Sequence, residues 1–533
     1  MRSCELFLFD ALRDCHVLRK SFELKNIRVK SVSYMAFLGH LRQGDRVQSL
    51  PEIAAKFQWS FDYASLLRMN PRIACGAQAY LASRLVDMLT PIVISCSSSE
   101  SLHLELRSLQ AVNSMCLGGF CFDRALCSSL IQRLKKHIEQ LESDCFSLIG
   151  HQFNLDSSKQ VSEVRLKIDL DYLKSLEYGV LFSRLKLACP GGSSTKKHLS
   201  TSKAILEQME RQHPLVSNIL RYRRLKHALT QCLIPMQHFV DGDGMVRSHC
   251  DMNTSTGRIL CVEPSVQTVP KDEMLDGIGL RHLFRAQQGE KLRVNSADYC
   301  QLELRVLAHL SEDSALLEVF KRGQDVFADM SHLLGISRNT TKKLCYGVIY
   351  GMGAKTLGET VKKSVNEANE LIKNFFQSFP RVRTFINNTK DKAAKAGFVT
   401  TVLGKGIFAL ESSQLLVQYS AKIFFGRRRV TCSTRGRQED VARDDRQSIN
   451  YVIQGTASEI FKKAIVALDE GRKGTTRLVM TIHDEIIIEC AQDEEEEVKR
   501  WMRSCMENVF PNFLVPLPVK IRSGPNWGSL CER

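Results

Sequence analysis

Apolar and polar positions along the chain change period several times, and each change marks an element. Residues 121–149, CFDRALCSSLIQRLKKHIEQLESDCFSLI, set apolar side chains three and four apart with charges between them, which predicts a long amphipathic helix. AILEQMERQHPLVSNILRYRRLKHALTQCLIPM keeps that spacing but is interrupted at Pro214, so it predicts separate helices. KLRVNSADYC (291–300) alternates and predicts a strand ending in an acid, with QLELRVLAHL continuing as a helix. Residues 336–351 read as a helix with glycine toward its C-terminal side. TRLVMTIHDEIIIECA reads as two β-rich runs folded into a hairpin around His483, Asp484 and Glu485. A further helix is expected to begin near Gln447, after the Arg-rich stretch 426–447, and PGGSSTKKHLSTSK (190–203) reads as a flexible connection.

With 533 residues the chain exceeds one compact core, and roughly three or four domains are expected. Apolar residues at 44% and charged residues at 25% exclude a disordered chain. The net charge of +16 favours a polyanionic partner, nucleic acid being the commonest, although charge alone fits a merely basic protein equally well. The 18 cysteines are scattered with no CxxC pair, so neither a zinc site nor a disulfide framework is legible, and reduced thiols in an intracellular compartment fit best. The opening MRSCELFLFDALRDC is too acidic, and its apolar run too short, for a signal peptide. Apolar runs such as Leu89 to Ile94 are too short to span a bilayer, so no membrane partner is expected.

Chemistry concentrates at a few positions. A lone aspartate at a strand end is usually a cap or a solvated turn residue. Asp298 and Asp484 both lie at strand ends, however, and carboxylates on adjacent strands can hold two Mg²⁺ ions about 3.5–4 Å apart. Arg338, Lys342, Tyr346 and Tyr350 recur every four residues and form one helix stripe, offering two cations to a triphosphate and two rings to a base and sugar. An ordinary amphipathic helix with a basic edge has the same spacing. The cluster Arg221, Arg223, Arg224 and Lys226 suits a phosphate backbone and a solvated face equally.

These segments carry a resemblance. DYCQLELRVLAH (298–309), RNTTKKLCYGVIYGMGAKTLGE (338–359) and IHDEIIIE (482–489) resemble, in order, motifs A, B and C of the family A (polymerase-I-like) DNA polymerases. TSTGRILCVEPSVQTVP (254–270), RQSINYVIQGTASEI (446–460) and GPNWG (524–528) match supporting segments, and the motif B wording is most similar to the eukaryotic theta and nu branch, theta first. The resemblance implies a mixed α/β right-hand polymerase fold. Its expected parts are a truncated exonuclease-like domain (1–90), the thumb and its connection (91–235), the first part of an antiparallel-sheet palm (236–305), helical fingers (306–440) and the second part of the palm (441–533). It implies a template-directed DNA polymerase in the nucleus, of error-prone, repair or translesion type. Its partners would be primer-template DNA and a dNTP, with two Mg²⁺ ions for which Mn²⁺ can substitute.

The residue roles below are also what the resemblance implies. Asp298 and Asp484 would bind metal with the Tyr299 carbonyl, and Glu485 would be an accessory acid. Arg338 and Lys342 would bind the triphosphate, Lys342 also protonating the leaving pyrophosphate. Tyr346 and Tyr350 would pack at the incoming and templating positions, with Gln301 at the nucleotide. Glu303 would be the steric gate against a ribose 2′-hydroxyl, and His483 would help seat the primer end. Arg258, Gln267, Arg446, Asn450 and Gln454 would line the minor groove of the primer-template.

The sequence also departs from the family pattern. No Asp-x-Glu occurs in residues 1–90, so proofreading is expected to be missing, and with no helicase-like region before it the chain reads as a fragment. Segments 165–179 and 405–425 interrupt the resemblance, either as lineage-specific loops or as gene-model artefacts. Ser265 and Thr268 stand where the family commonly has Asn, and Phe327 where bacterial enzymes have His. The rival reading is a polymerase-shaped protein that binds DNA without catalysis.

Overall fold

The computed structural model describes residues 5–8, 28–31, 79–90, 99–163, 201–403 and 438–532, apart from 255, 288–291, 324, 397–398 and 473. Both interrupting segments, most of 1–90 and the connection 190–200 lie outside the described residues. Within residues 1–90, Glu5–Leu8 pairs in parallel with Arg28–Ser31.

In chain order the elements used below are α1 (Ser99–Gly118), α2 (Arg124–Ile149), α3 (Pro214–His227), β1 (His249–Asp251), β2 (Leu260–Glu263), β3 (Leu292–Tyr299), α4 (Leu302–Ser311), α5 (Val326–Leu334) and α6 (Arg338–Ile349). After them come α7 (Pro380–Ala396), α8 (Gln438–Glu470), β4 (Arg477–Ile482), β5 (Glu485–Ala491), α9 (Glu495–Glu507) and β6 (Val519–Gly524). Four strands form the central antiparallel sheet in the order β4-β5-β3-β6. Its middle strands are covered on both faces: Val294 to Ala297 and Glu485 to Cys490 are all buried, so they read as continuous runs more than as alternation.

Helix α9 closes one face of the sheet. Val498, Met502 and Met506, four apart, are buried, and Glu495, Glu496 and Glu497 in its first turn suit the positive end of the helix dipole. The Tyr299 hydroxyl donates to the Met506 carbonyl at 2.6 Å, tying the end of β3 to α9. Helix α8 packs on α1, α4, α7 and α9, joining the sheet to its helical surroundings around a large core cluster and a smaller one of Ala393, Val399, Tyr451 and Val452.

The helix expected over 121–149 begins at Arg124, because Phe120–Phe122 is a short strand and Asp123 caps the helix by accepting from the Leu126 amide. Helix α8 begins nine residues before the expected Gln447. Its first turns, QEDVARDDR, carry few apolar residues, so the period that announces a helix starts only at Ile449, Val452 and Ile453. Pro214 opens α3 at its first turn, as read. Among the described residues no helix is long and apolar enough to cross a membrane, and no cysteine forms a disulfide.

Candidate active site

Asp298 stands one residue before the end of β3, opposite Glu485 on β5 and Lys520 on β6. Between β4 and β5 the chain turns over two residues, His483 and Asp484. His483 takes φ 56°, the left-handed conformation that such loops require at their first position. The Tyr299 amide donates to the Asp484 carbonyl at 3.3 Å, which sets the hairpin turn against the end of β3. The two aspartates named from the sequence are therefore neighbours, joined by strand register.

Their electrostatics are those of crowded acids. Burial pushes the Asp484 carboxyl up to about 6, aided by Glu303 and Asp298 and opposed by Arg258. Burial also raises Asp298, with Glu485 adding and Lys271, Arg522 and Lys520 opposing. Glu485 is buried and accepts a hydrogen bond from the Ser296 hydroxyl. His483 is held below the usual histidine value by burial and by Arg258, Lys271 and Arg281.

Helix α6 is capped by Ser337, whose hydroxyl accepts from the Thr340 amide. Thr341, Leu344, Cys345 and Val348 face inward, leaving the predicted stripe on the other side. Tyr346 and Tyr350 stack with ring centroids 6.2 Å apart and planes 18° from parallel. Burial and the nearby Glu303 raise the Tyr346 phenol to about 12. Arg338 and Lys342 are exposed and lie 5.9 Å and 6.0 Å from the centre of the Phe327 ring.

One buried acid links this stripe to the sheet. Glu303, in the first turn of α4 after the left-handed Gln301, accepts from the Tyr350 hydroxyl at 2.7 Å on one oxygen and pairs with Arg258 on the other. The Gln454 side chain hydrogen-bonds Tyr350 as well. Beyond Arg258 lies a cavity of about 370 Å³ lined by Thr254, Leu260, Asn450 and Gln454, among others. The Asn450 Oδ1 is buried there without a hydrogen-bond partner among the described residues, an acceptor open to a donor from outside. Arg446 packs its stem on Gly351, where a Cβ would stand 2.7 Å from Arg446 Cγ.

Gln267 is anchored to the backbone. Its amide donates to the Ile259 carbonyl at 3.0 Å and accepts from the Cys261 amide at 3.2 Å, so it braces the loop after β2. Two members of the basic cluster are also spent internally. Arg223 donates to the Leu155 and Thr201 carbonyls, and Lys226 pairs with Asp156, which leaves Arg221 and Arg224 facing a cavity beside Glu273. Sequence reading missed Ser296, Lys520 and Arg522 around the acids, and Asp325, which pairs with Arg338. Only Asp325 left a local signal, a capping residue just before an apolar run.

Among the described residues no group of three or more His, Cys, Asp or Glu side chains is arranged to hold a metal ion. An ion at this site would rest on Asp298, Asp484, a backbone carbonyl and the oxygens of its substrate. Few protein ligands, all oxygen, is the pattern Mg²⁺ accepts, and a cation would favour the charged form of two acids that burial raises. The donor set therefore fits a hard divalent cation.

Comparison with known proteins bears on the same region. The family described as DNA polymerase family A matches residues 124–529. DNA polymerase theta of Caenorhabditis elegans is 37% identical over 531 residues, which cover 98% of this chain and 30% of that protein. The thermostable DNA polymerase I of Thermus aquaticus is 32% identical over 428 residues, 78% of this chain and 46% of that protein. The chain thus spans less than half the length of either relative. The solved POL domain of Pol1 from M. smegmatis, in complex with DNA primer-template and dNTP, superposes with a TM-score of 0.76 at 24% identity, covering 97% of this chain and 85% of that one. The fold is the right-hand polymerase arrangement.

Proposed function

This chain belongs to DNA polymerase family A, and from that premise we propose that it is a template-directed DNA polymerase acting on primer-template DNA and dNTPs. The carrying observation is the register of Asp298 against Glu485, which sets Asp298 beside the Asp484 turn and within electrostatic reach of Tyr346. In this reading the sheet β4-β5-β3-β6 is the palm, and the described residues of 306–440 and of 91–235 belong to the fingers and the thumb.

The primer 3′-oxygen attacks the α-phosphorus of the dNTP, and the bond to the bridging oxygen of pyrophosphate breaks. Two Mg²⁺ ions held by Asp298, Asp484 and the Tyr299 carbonyl, or Mn²⁺ in their place, would supply a more acidic primer hydroxyl and a neutralised leaving group. Arg338 and Lys342 hold the triphosphate, and Lys342 protonates the departing pyrophosphate. Tyr346 stacks beside the incoming sugar and base, Tyr350 packs at the templating position, and Gln301 lies at the nucleotide. Glu303 occupies the space of a ribose 2′-hydroxyl. Glu485 supports the acids, and His483 seats the primer end. Arg258, Gln267, Arg446, Asn450 and Gln454 test the minor-groove edge of the primer-template, Gln267 from a side chain anchored to the backbone at the start of β2.

The resemblance to theta is the ground for reading it as a nuclear, error-prone polymerase of repair or translesion type, and residues 1–90 hold no Asp-x-Glu with which this segment could proofread. The test is single-nucleotide extension with Mg²⁺, pairing each template base with each dNTP, and repeated on an abasic template and a mismatched primer. Template-matched addition, bypass of the abasic site and no shortening of the primer are expected. Addition that ignores the template base contradicts the polymerase reading, and primer shortening contradicts the loss of proofreading.

A further inference from the structure

Asp325 has both carboxylate oxygens committed, one to the start of its own helix and one to the stripe. Oδ1 accepts from the Phe327 amide at 3.1 Å and the Ala328 amide at 3.3 Å, capping α5. Oδ2 accepts from Arg338 Nε at 2.6 Å. The cap fixes the direction of the carboxylate, so its second oxygen is aimed and does not wander. The Phe327 ring that follows lies under Arg338 and Lys342 and 6.2 Å from Tyr346.

Capping alone needs only one oxygen. An ion pair whose side chains are 56% and 44% exposed adds little to stability. The choice of Nε is the telling feature. A guanidinium held at Nε keeps both Nη groups free, and those two donors form the fork that grips a phosphate bidentately. Neither Nη group of Arg338 has a hydrogen-bond partner among the described residues.

We propose that Asp325 is a positioning residue for the incoming triphosphate, holding Arg338 by Nε so that both Nη groups are presented to phosphate oxygens. The inference rests on the polymerase reading above. Asp325 touches no reacting atom and acts through Arg338.

The test is steady-state extension by the full chain carrying Asp325→Asn or Asp325→Ser, both of which keep a capping side chain. The expected result is a KM for dNTP raised about tenfold, as when a charge-assisted hydrogen bond is lost, with kcat, primer-template affinity and Tm near wild type. In an Arg338→Ala background the Asp325→Asn change should then add nothing. If the wild type extends primers and KM is unchanged or falls in both variants, the proposal is overturned. It is equally overturned if the full effect of Asp325→Asn persists without Arg338. A wild type that extends no primer fails the polymerase reading instead, which keeps the two failures distinct.

Discussion

The Tyr350 hydroxyl donates to Glu303 at 2.7 Å, and the second oxygen of Glu303 pairs with Arg258. The residue at the proposed sugar gate is thus held from two sides, by the helix stripe and by the segment leading into β2. A carboxylate fixed in this way keeps its bulk where a 2′-hydroxyl would have to enter. Glu303→Ala should improve ribonucleotide use relative to dNTPs by about a hundredfold, and Tyr350→Phe, which removes one hydrogen bond, by less. The ratio of kcat/KM for matched rNTP and dNTP measures both, and an unchanged ratio in Glu303→Ala contradicts the gate.

Tyr346 carries a phenol, and it stacks on Tyr350 beside Phe327. A hydroxyl at this point can stand in for the missing 3′-hydroxyl of a dideoxynucleotide. Tyr346→Phe should raise discrimination against ddNTPs by about tenfold or more, because the polar partner is then absent. Comparable incorporation by both enzymes removes the idea.

Burial of Asp484, with Glu303 and Asp298 adding, gives a signed effect on stability. Asp484 titrates near 6 in the folded chain against an ordinary 3.8, so the folded state holds its proton more tightly than the unfolded one. Stability is therefore lost as pH rises between those values, and the loss is complete above the upper one. Asp484→Asn should melt a few degrees above wild type at neutral pH without metal, with the difference vanishing under acid conditions. Added Mg²⁺ should stabilise the wild type and leave the variant unmoved. Thermal scans over pH, with and without Mg²⁺, check both statements.

Gly351 ends the stripe at φ +62°, with the Arg446 stem where a Cβ would go. Gly351→Ala should cost about 1–2 kcal/mol from the left-handed backbone, plus the displacement of Arg446. Denaturant unfolding reads the first effect, and a weaker KM for primer-template reads the second.

The periodic parts of this fold were legible. Strand β3, helix α6 and the β4-β5 hairpin announce themselves by spacing, and Asp298 and Asp484 stood out as acids at their ends. What was not legible depends on contacts between distant segments. Nothing near Gln267 indicates that its amide is consumed by the Ile259 and Cys261 backbone. Nothing near Arg223 or Lys226 separates them from Arg221 and Arg224, because their partners Leu155, Thr201 and Asp156 lie elsewhere in the chain. The start of α8 was placed late because a polar first turn has no apolar period to read.

The central claim is that Asp298 and Asp484 together carry template-directed phosphoryl transfer. Single-turnover primer extension with Mg²⁺ by wild type, Asp298→Ala and Asp484→Ala tests it most directly, with primer-template binding measured alongside. Matched addition by the wild type, a fall of about a thousandfold or more in each variant, and little change in DNA binding are expected. Extension that survives the loss of either aspartate, or a wild type that binds primer-template and adds nothing, contradicts it.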